Sequence, residues 1–115
     1  MFEIEYPDEF ESWWHELSII QQEDISHSIK VLEKFGPTLG RPYVDTLKGS
    51  QFKNMKELRT QSKGDPLRTF FAFDPKRRAI LLIGGDKTGD DNFYKNMILI
   101  ADKLYIEHLR EIDNG

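Results

Sequence analysis

The sequence predicts an α+β fold of order β-α-α-β-β-β-α, a twisted and largely antiparallel sheet against which an N-terminal helical hairpin and a C-terminal helix pack. Three observations carry the prediction. Apolar residues recur at helical spacing in the first third of the chain and again near its end; the stretch between holds strand-like runs divided by Gly and Pro; and an alternating pentapeptide precedes them all.

That pentapeptide, Phe2-Glu3-Ile4-Glu5-Tyr6, alternates apolar and acidic residues as a half-buried strand does, and Pro7 ends it. A helix follows, because Asp8 and Glu11 have capping-box spacing and Phe10, Trp13, Trp14 and Leu17 form one stripe. Ser18 with Gln21 repeats the capping signal for a second helix, whose inner face carries Ile25, Ile29 and Leu32 and which Gly36-Pro37 stops. The segment 37–50 reads as a loop pinned to the core by Leu39, Tyr43, Val44 and Leu47. Strands are predicted over 53–60 and 67–74 with a hairpin loop over 61–66, and Asp74-Pro75-Lys76-Arg77 reads as the next tight turn. Ala79-Ile80-Leu81-Leu82-Ile83 has the short aliphatic character of a central strand buried on both faces. A loop over 84–91 leads to the last helix, capped by Asp91 or Asn92, with Phe93, Met97, Ile100, Ala101, Leu104 and His108 on its inner stripe.

At 115 residues, with 38% hydrophobic residues, the chain reads as one domain, 1–115, able to bury a core without staples. The absence of cysteine excludes disulfides, a thiol nucleophile and thiolate metal sites. The scattered histidines His15, His27 and His108 lack zinc-site spacing, so neither metal nor cofactor is expected, and His108 reads as a satisfied core histidine. No apolar run is long enough to cross a bilayer and the N-terminus is acidic where a signal peptide is basic, so a cytoplasmic protein is expected.

The net charge of −4 conceals an asymmetry. Residues 48–95 hold eleven Lys and Arg against six Asp and Glu, whereas residues 1–47 hold three against ten. Since charges beyond a Debye length of about 8 Å are screened, a local basic patch can bind phosphate on an acidic protein. Strand parity sharpens this. Arg59 shares a face with Met55 and Glu57, Arg68 shares one with Phe70 and Ala72, and closure of the hairpin sets the two arginines on neighbouring strands near its open mouth. With Leu58, Phe71 and Phe73 turned to the helices, Arg59, Arg68 and Lys87 would line a concave exposed surface suited to phosphate. The plainer alternatives are that Arg59 pairs with Glu57 or Asp86 and that Lys76-Arg77-Arg78 is a solvated turn. Gly84-Gly85-Asp86-Lys87 reads as a loop whose amides could approach an anion, or as a simple tight turn; it lacks Walker spacing.

Several pieces in order, Leu39-Gly40-Arg41-Pro42, Leu47-Lys48-Gly49, Met55-Lys56-Glu57-Leu58-Arg59, the strand from Pro66 to Asp74, Ile80 to Lys87, Phe93-Tyr94 and Ala101-Asp102-Lys103-Leu104-Tyr105, resemble the RelE/HigB group of toxins from type II toxin–antitoxin systems, in particular the phage-associated HigB-like branch. The resemblance spans Leu39 to Leu109. It implies a RelE-like fold and a small toxin that cleaves messenger RNA, usually on the ribosome, silenced by a helix-turn-helix antitoxin. Cleavage without metal proceeds by attack of the 2′-hydroxyl on the adjacent phosphate, with cations stabilising the phosphorane. By match to the family, Arg68 is the first candidate for that stabilisation, Arg59 the second and Lys87 the third. Lys56 and Tyr94 are candidates for proton transfer, each needing a lowered pKa to act as a base, and Tyr94 suits stacking or packing better. Lys53, Tyr94 and Lys95 complete the expected RNA contact. Relatives carry a phenylalanine and paired lysines where this chain reads Gly85-Asp86-Lys87-Thr88, so Asp86 is expected to weaken the phosphate site unless it pairs with Arg59 or Lys87. The competing readings are a non-cleaving toxin of the same fold, as in the gyrase inhibitors, and a non-enzymatic regulatory binding domain. The antitoxin is expected to cover the cationic groove and the apolar flank of the last helix with an amphipathic helix.

Overall fold

The Phe2–Tyr6 alternation condenses into a two-residue strand, β1 (Ile4–Glu5), in a computed structural model that describes residues 1–114. Helices α1 (Asp8–Glu16) and α2 (Ile19–Phe35) follow, then a 3₁₀ turn over Gly36–Thr38, strands β2 (Val44–Thr46), β3 (Lys56–Ser62), β4 (Asp65–Phe73) and β5 (Ala79–Asp86), and helix α3 (Phe93–Asn114). The five strands lie in the order β1-β5-β4-β3-β2, antiparallel except for β1 against β5. The α+β architecture and the sequence of the predicted elements stand, with one strand added.

Sheet parity divides the core between two helical layers. On one face Leu58, Phe71 and Leu81 meet Phe10 and Leu32 of the hairpin; on the other Met55, Phe70, Ala72, Ile80 and Leu82 meet Phe93, Ala101 and Leu104 of α3. Ile25 and Leu32 are fully buried, as the stripe on α2 predicts. The Ser18–Gln21 capping box forms in both directions, at 3.1 Å and 2.9 Å. Gly36 ends α2 at φ +56°, a conformation that a side chain resists, and the Phe2 ring fills the space a Cβ would need. No helix of the described residues is long and apolar enough to cross a membrane.

Five local expectations are corrected. Pro7, already extended, takes the N-cap position of α1, so Asp8 and Glu11 fall inside the first turn and form no capping box, although their charges still favour the positive helix end. Val44–Thr46, read as loop, is the edge strand β2; three residues are too few for a periodicity to register. The following strand begins at Lys56, leaving Lys53 in a turn. Tyr43 is exposed rather than pinned. On α3, Ile100 also turns outward, and Ile98, Asp102 and Tyr105 are buried instead. Asp102 is held there by Ser50 Oγ at 2.5 Å and the Gln51 amide at 3.0 Å, which tie the segment before β3 to the helix.

The glycine pair was the least legible feature. Gly84 and Gly85 form no loop but continue β5, opposite Thr69 and Arg68. A bulge, where Ile83 pairs Phe70 but Leu81 pairs Phe71, reverses the parity of β5, so Gly84 faces α1 and Gly85 faces α3. The Trp13 ring occupies the position of a Gly84 Cβ, and Phe93 crowds that of Gly85. Gly84→Val is therefore expected to destabilise by about 1–3 kcal/mol through overpacking. Gly40, with open space around its missing Cβ, should accept alanine within about 0.5 kcal/mol. Urea unfolding of the two variants side by side checks the contrast.

The Asp74 turn locks β4 to β5, and it corrects the reading of Arg78 as solvated. Its buried carboxylate accepts from the Arg78 amide at 2.9 Å, from Arg78 Nη2 at 2.8 Å and Nε at 3.1 Å, and lies 2.9 Å from His108 Nε2. Burial works to raise the pKa of Asp74, but the hydrogen bonds from His108 and Arg78 outweigh it and hold the group below its ordinary value of 3.8. A carboxylate depressed in the folded state contributes stability that is full above 3.8 and is lost as pH falls through the lower folded value. The stability difference between wild type and Asp74→Asn, followed by urea unfolding, should accordingly be constant near neutrality and shrink as the solution is acidified below the carboxylate range.

Candidate functional site

Strand register brings the predicted arginines together. Arg59 and Arg68 are direct partners across β3 and β4, at the fourth of seven register pairs rather than at the mouth of the hairpin. The same face carries Asp45 opposite Glu57 on β2 and β3, and Gly85 opposite Arg68 on β5. Lys87 follows β5, its amide bonded to the Pro66 carbonyl at 3.2 Å, and its Nζ sits 5.6 Å from the centre of the Tyr94 ring.

Glu57 is the hub of this cluster. One carboxylate oxygen, Oε1, accepts from the Tyr94 hydroxyl at 2.8 Å and lies 3.0 Å from Arg68 Nε and 3.6 Å from Arg59 Nε. Both arginine contacts are ion pairs by distance, yet neither Nε–H is aligned as a hydrogen-bond donor, and both nitrogens are buried without a hydrogen-bonding partner. Arg59 Nη2 also reaches Asp45 at 3.2 Å, and Arg41 reaches the same oxygen at 2.7 Å. The Arg41 hydrogen bond is the main force holding the Asp45 carboxyl below its usual range. Four cations, Arg41, Arg59, Arg68 and Lys87, thus face two carboxylates. The surplus, with two unused buried donors, favours an anion with several acceptor oxygens.

Exposure separates the two arginines. The Arg59 side chain keeps 32% of its surface, whereas that of Arg68 keeps 9% and donates Nη1 to the Leu67 carbonyl at 3.0 Å. The sequence reading set both on an exposed concave surface; for Arg68 the structure corrects this, because β3, β5 and the N-terminal end of α3 enclose it. Both arginines nonetheless line a cleft of about 420 Å³ that runs between α2 and β3, with His27, Tyr43 and Gln61 on its walls. A larger cleft of about 490 Å³ lies between α1 and the end of α3, away from Arg59, Arg68 and Lys87. Charge, not size, identifies the candidate site.

The other predicted residues divide. Tyr94, on the first turn of α3, packs its ring against Phe70 and Phe93 at 6.0 and 5.3 Å between centres. Burial, seconded by the bond to Glu57, pushes its pKa up rather than down, so Tyr94 remains protonated near neutrality and is a poor base. Lys56 lies on the opposite sheet face, across from Phe71, with Nζ 3.2 Å from Thr46 Oγ1, and the structure does not bring it to the cluster. Lys53 is exposed in the turn ahead of β3, and Lys95 is exposed on α3 beside Tyr94. Sequence reasoning missed Asp45 and Arg41 altogether and treated Glu57 only as a partner for Arg59; the Arg41–Asp45 spacing of four was the available signal.

A family model described as phage-derived protein Gp49-like matches residues 12–106. The chain belongs to the Gp49-like family. It is 49% identical over 94 residues to the candidate toxin HigB3 of Mycobacterium tuberculosis, covering 81% of both chains. It is 44% identical over 105 residues to the candidate toxin HigB2 of the same organism, covering 90% of this chain and 52% of that one, so it spans about half the length of HigB2. Its fold resembles the isolated Escherichia coli RelE toxin, with a TM-score of 0.60 at 8% identity over 84% of this chain and 96% of RelE. It also resembles the archaeal RelE–RelB complex from Pyrococcus horikoshii, with a TM-score of 0.56 at 14% identity over 76% and 97%. This Gp49-like chain is a HigB homologue with a RelE-like fold.

Within this HigB-like frame, the Asp86 departure has a local explanation. Asp86 pairs in register with Leu67, on the face away from Arg68, and its Oδ1 accepts from the Thr88 amide at 2.9 Å. Neither Arg59 nor Lys87 is its ion-pair partner among the described residues. The carboxylate is turned from the cluster rather than neutralised within it.

Proposed function

We propose that this chain is the toxin of a type II toxin–antitoxin system and a metal-independent endoribonuclease that cleaves messenger RNA on the ribosome, in the cytoplasm. The observation that carries the reading is the cationic cluster around Glu57, in which four cations face two carboxylates and Arg59 and Arg68 both line one cleft. Relatives named as HigB toxins and a RelE-like fold support it. The RelE–RelB complex supports an antitoxin as partner. Arg68, Arg59 and Lys87 stabilise the charge that develops when a 2′-hydroxyl attacks the neighbouring phosphate, and Lys53 and Lys95 guide the RNA strand. Tyr94, held protonated, suits delivery of a proton to the departing 5′-oxygen better than removal of one.

A second reading rests on the burial of Arg68, which is already ion-paired without a ligand. Under it the fold binds a target without cleaving RNA, as a gyrase-inhibiting relative or a regulatory domain. Induced expression in a bacterial host, with growth and messenger-RNA 5′ ends followed together, separates the readings. Arrest with new 5′ ends is the expected result. Arrest without new ends would select the binding toxin, and normal growth with a folded protein the regulatory domain.

A further inference from the structure

The far edge of the sheet, where β1 lies, carries a surface that the cation cluster does not use. Three clefts adjoin there. The first, about 490 Å³, is bounded by β1, the start of α1 and the last turns of α3; it shares Tyr6 with a second of about 360 Å³ between α1 and α2. The second shares Trp14 and Ser26 with a third of about 420 Å³ that reaches Ile19 and Lys30. Together they make a track that runs from the β1 edge onto the outer surface of α1 and α2. Its floor is apolar in the middle, at Phe10, Trp14, Ile29 and Leu81, and the more polar first cleft adds Leu104 and Ile112 at one end. Tyr6 and Ile19 stand along it 54% and 74% exposed, unusually open for residues of their size. Its rim is acidic. Seven carboxylates, among them Glu9, Glu11, Glu107 and Glu111, line it against Lys30, Lys76 and Arg78, and Arg78 is shared between Asp74 and Glu5 of the rim.

We propose that this track is the docking surface for a basic amphipathic segment of the protein that silences the chain, Lys or Arg alternating with bulky apolar side chains. The occupant is chosen by charge complementarity: an acidic rim repels RNA and acidic segments, while an apolar floor gives a cationic peptide more than Coulomb attraction. Arg59 and Arg68 lie on β3 and β4, beyond β5 from the β1 edge, and of the three clefts only the third shares a lining residue, His27, with theirs, so a partner seated on the first two leaves the cation cluster uncovered. This departs from the expectation that the partner lies over the cationic groove, and it rests on the reading that such a partner exists.

Trp14 reports on the track directly. A tryptophan-free peptide repeating Leu-Lys-Lys-Leu should bind the intact chain saturably and shift tryptophan emission to the blue, and the matching Leu-Glu-Glu-Leu peptide should not. Glu11→Lys combined with Glu107→Lys should weaken the peptide about tenfold at low salt, from roughly 1.4 kcal/mol of lost rim attraction. Asp65→Lys combined with Asp91→Lys, the same change in net charge away from the track, should weaken it far less. Should charge reversal loosen α1, Tyr6→Ala, at a half-exposed position, tests the same surface. Equal weakening by the two double variants would reduce the effect to bulk charge and overturn the proposal. So would equal binding of the acidic peptide, or a dimer of this chain that the basic peptide fails to dissociate. Peptide binding requires no toxicity: a chain that binds peptide but never arrests growth sinks the toxin reading alone, and one that arrests growth but ignores the peptide sinks the docking surface alone.

Discussion

Arg68→Ala is expected to lower messenger-RNA cleavage by at least about a hundredfold and to release growth arrest, the loss typical when a fixed donor to a developing oxyanion is removed. The geometry adds a complication to this experiment. Arg68 is buried and ion-paired with Glu57, so its removal leaves that carboxylate with Tyr94 and the more distant Arg59 alone. A stability loss of about 1–3 kcal/mol accompanies the functional one, and a melting curve must establish that the variant is folded at the temperature of the growth assay. Arg68→Lys separates the contributions, since an ammonium keeps the charge but not the fork that can serve Glu57 and a phosphate together. Partial cleavage by Arg68→Lys with none by Arg68→Ala supports phosphate stabilisation. Cleavage unaltered in a destabilised Arg68→Ala would make the residue a structural pair, and the enzyme reading would then lose its first candidate.

The Arg59–Arg68 juxtaposition was legible because it depends only on period two and one hairpin. Alternation gave each strand its face and the Gly- and Pro-marked loop over 61–66 gave the hairpin; the structure shortens that loop to Lys63-Gly64, and the arginines meet as direct partners. What escaped the sequence required information from other elements. The buried state of Arg68 depends on Tyr94, which arrives from a helix far along the chain to bond Glu57 across 37 residues. The direction of Asp86 depends on a bulge in β5, and a one-residue shift of parity leaves no trace in an all-aliphatic run where every position is apolar. Gly84 and Gly85 looked like a loop because glycine usually marks one. Here they mark the approach of Trp13 from one side and Phe93 from the other, a tertiary cause that local composition cannot express. Glu57 was misjudged for a related reason: a strand carboxylate between Lys56 and Leu58 reads as a surface partner for a neighbouring arginine until the opposing layer is known.

That carboxylate is the subject of the other large effect. Glu57→Ala should destabilise the protein by about 3–5 kcal/mol, because it leaves the Arg68 guanidinium enclosed without its counter-charge and takes the acceptor from Tyr94. The Glu57 side chain is only 5% exposed and that of Arg68 9%, so solvent cannot take over the pairing. For a domain of this size the melting temperature should fall by about 10 °C or more. Glu57→Gln is the more informative change. It keeps the volume and an acceptor for Tyr94 but removes the negative charge, raising the local surplus of cations over carboxylates from two to three. Its stability should therefore fall less than that of the alanine variant, while its affinity for a short single-stranded RNA should rise and depend more steeply on salt. The two shifts share one cause, mutual repulsion among cations that a carboxylate relieves in the free protein and a phosphate would relieve in the complex. If Glu57→Gln instead lost cleavage with stability and RNA affinity unchanged, the carboxylate would be moving a proton rather than holding the guanidiniums, and the division of labour in the site would have to be redrawn.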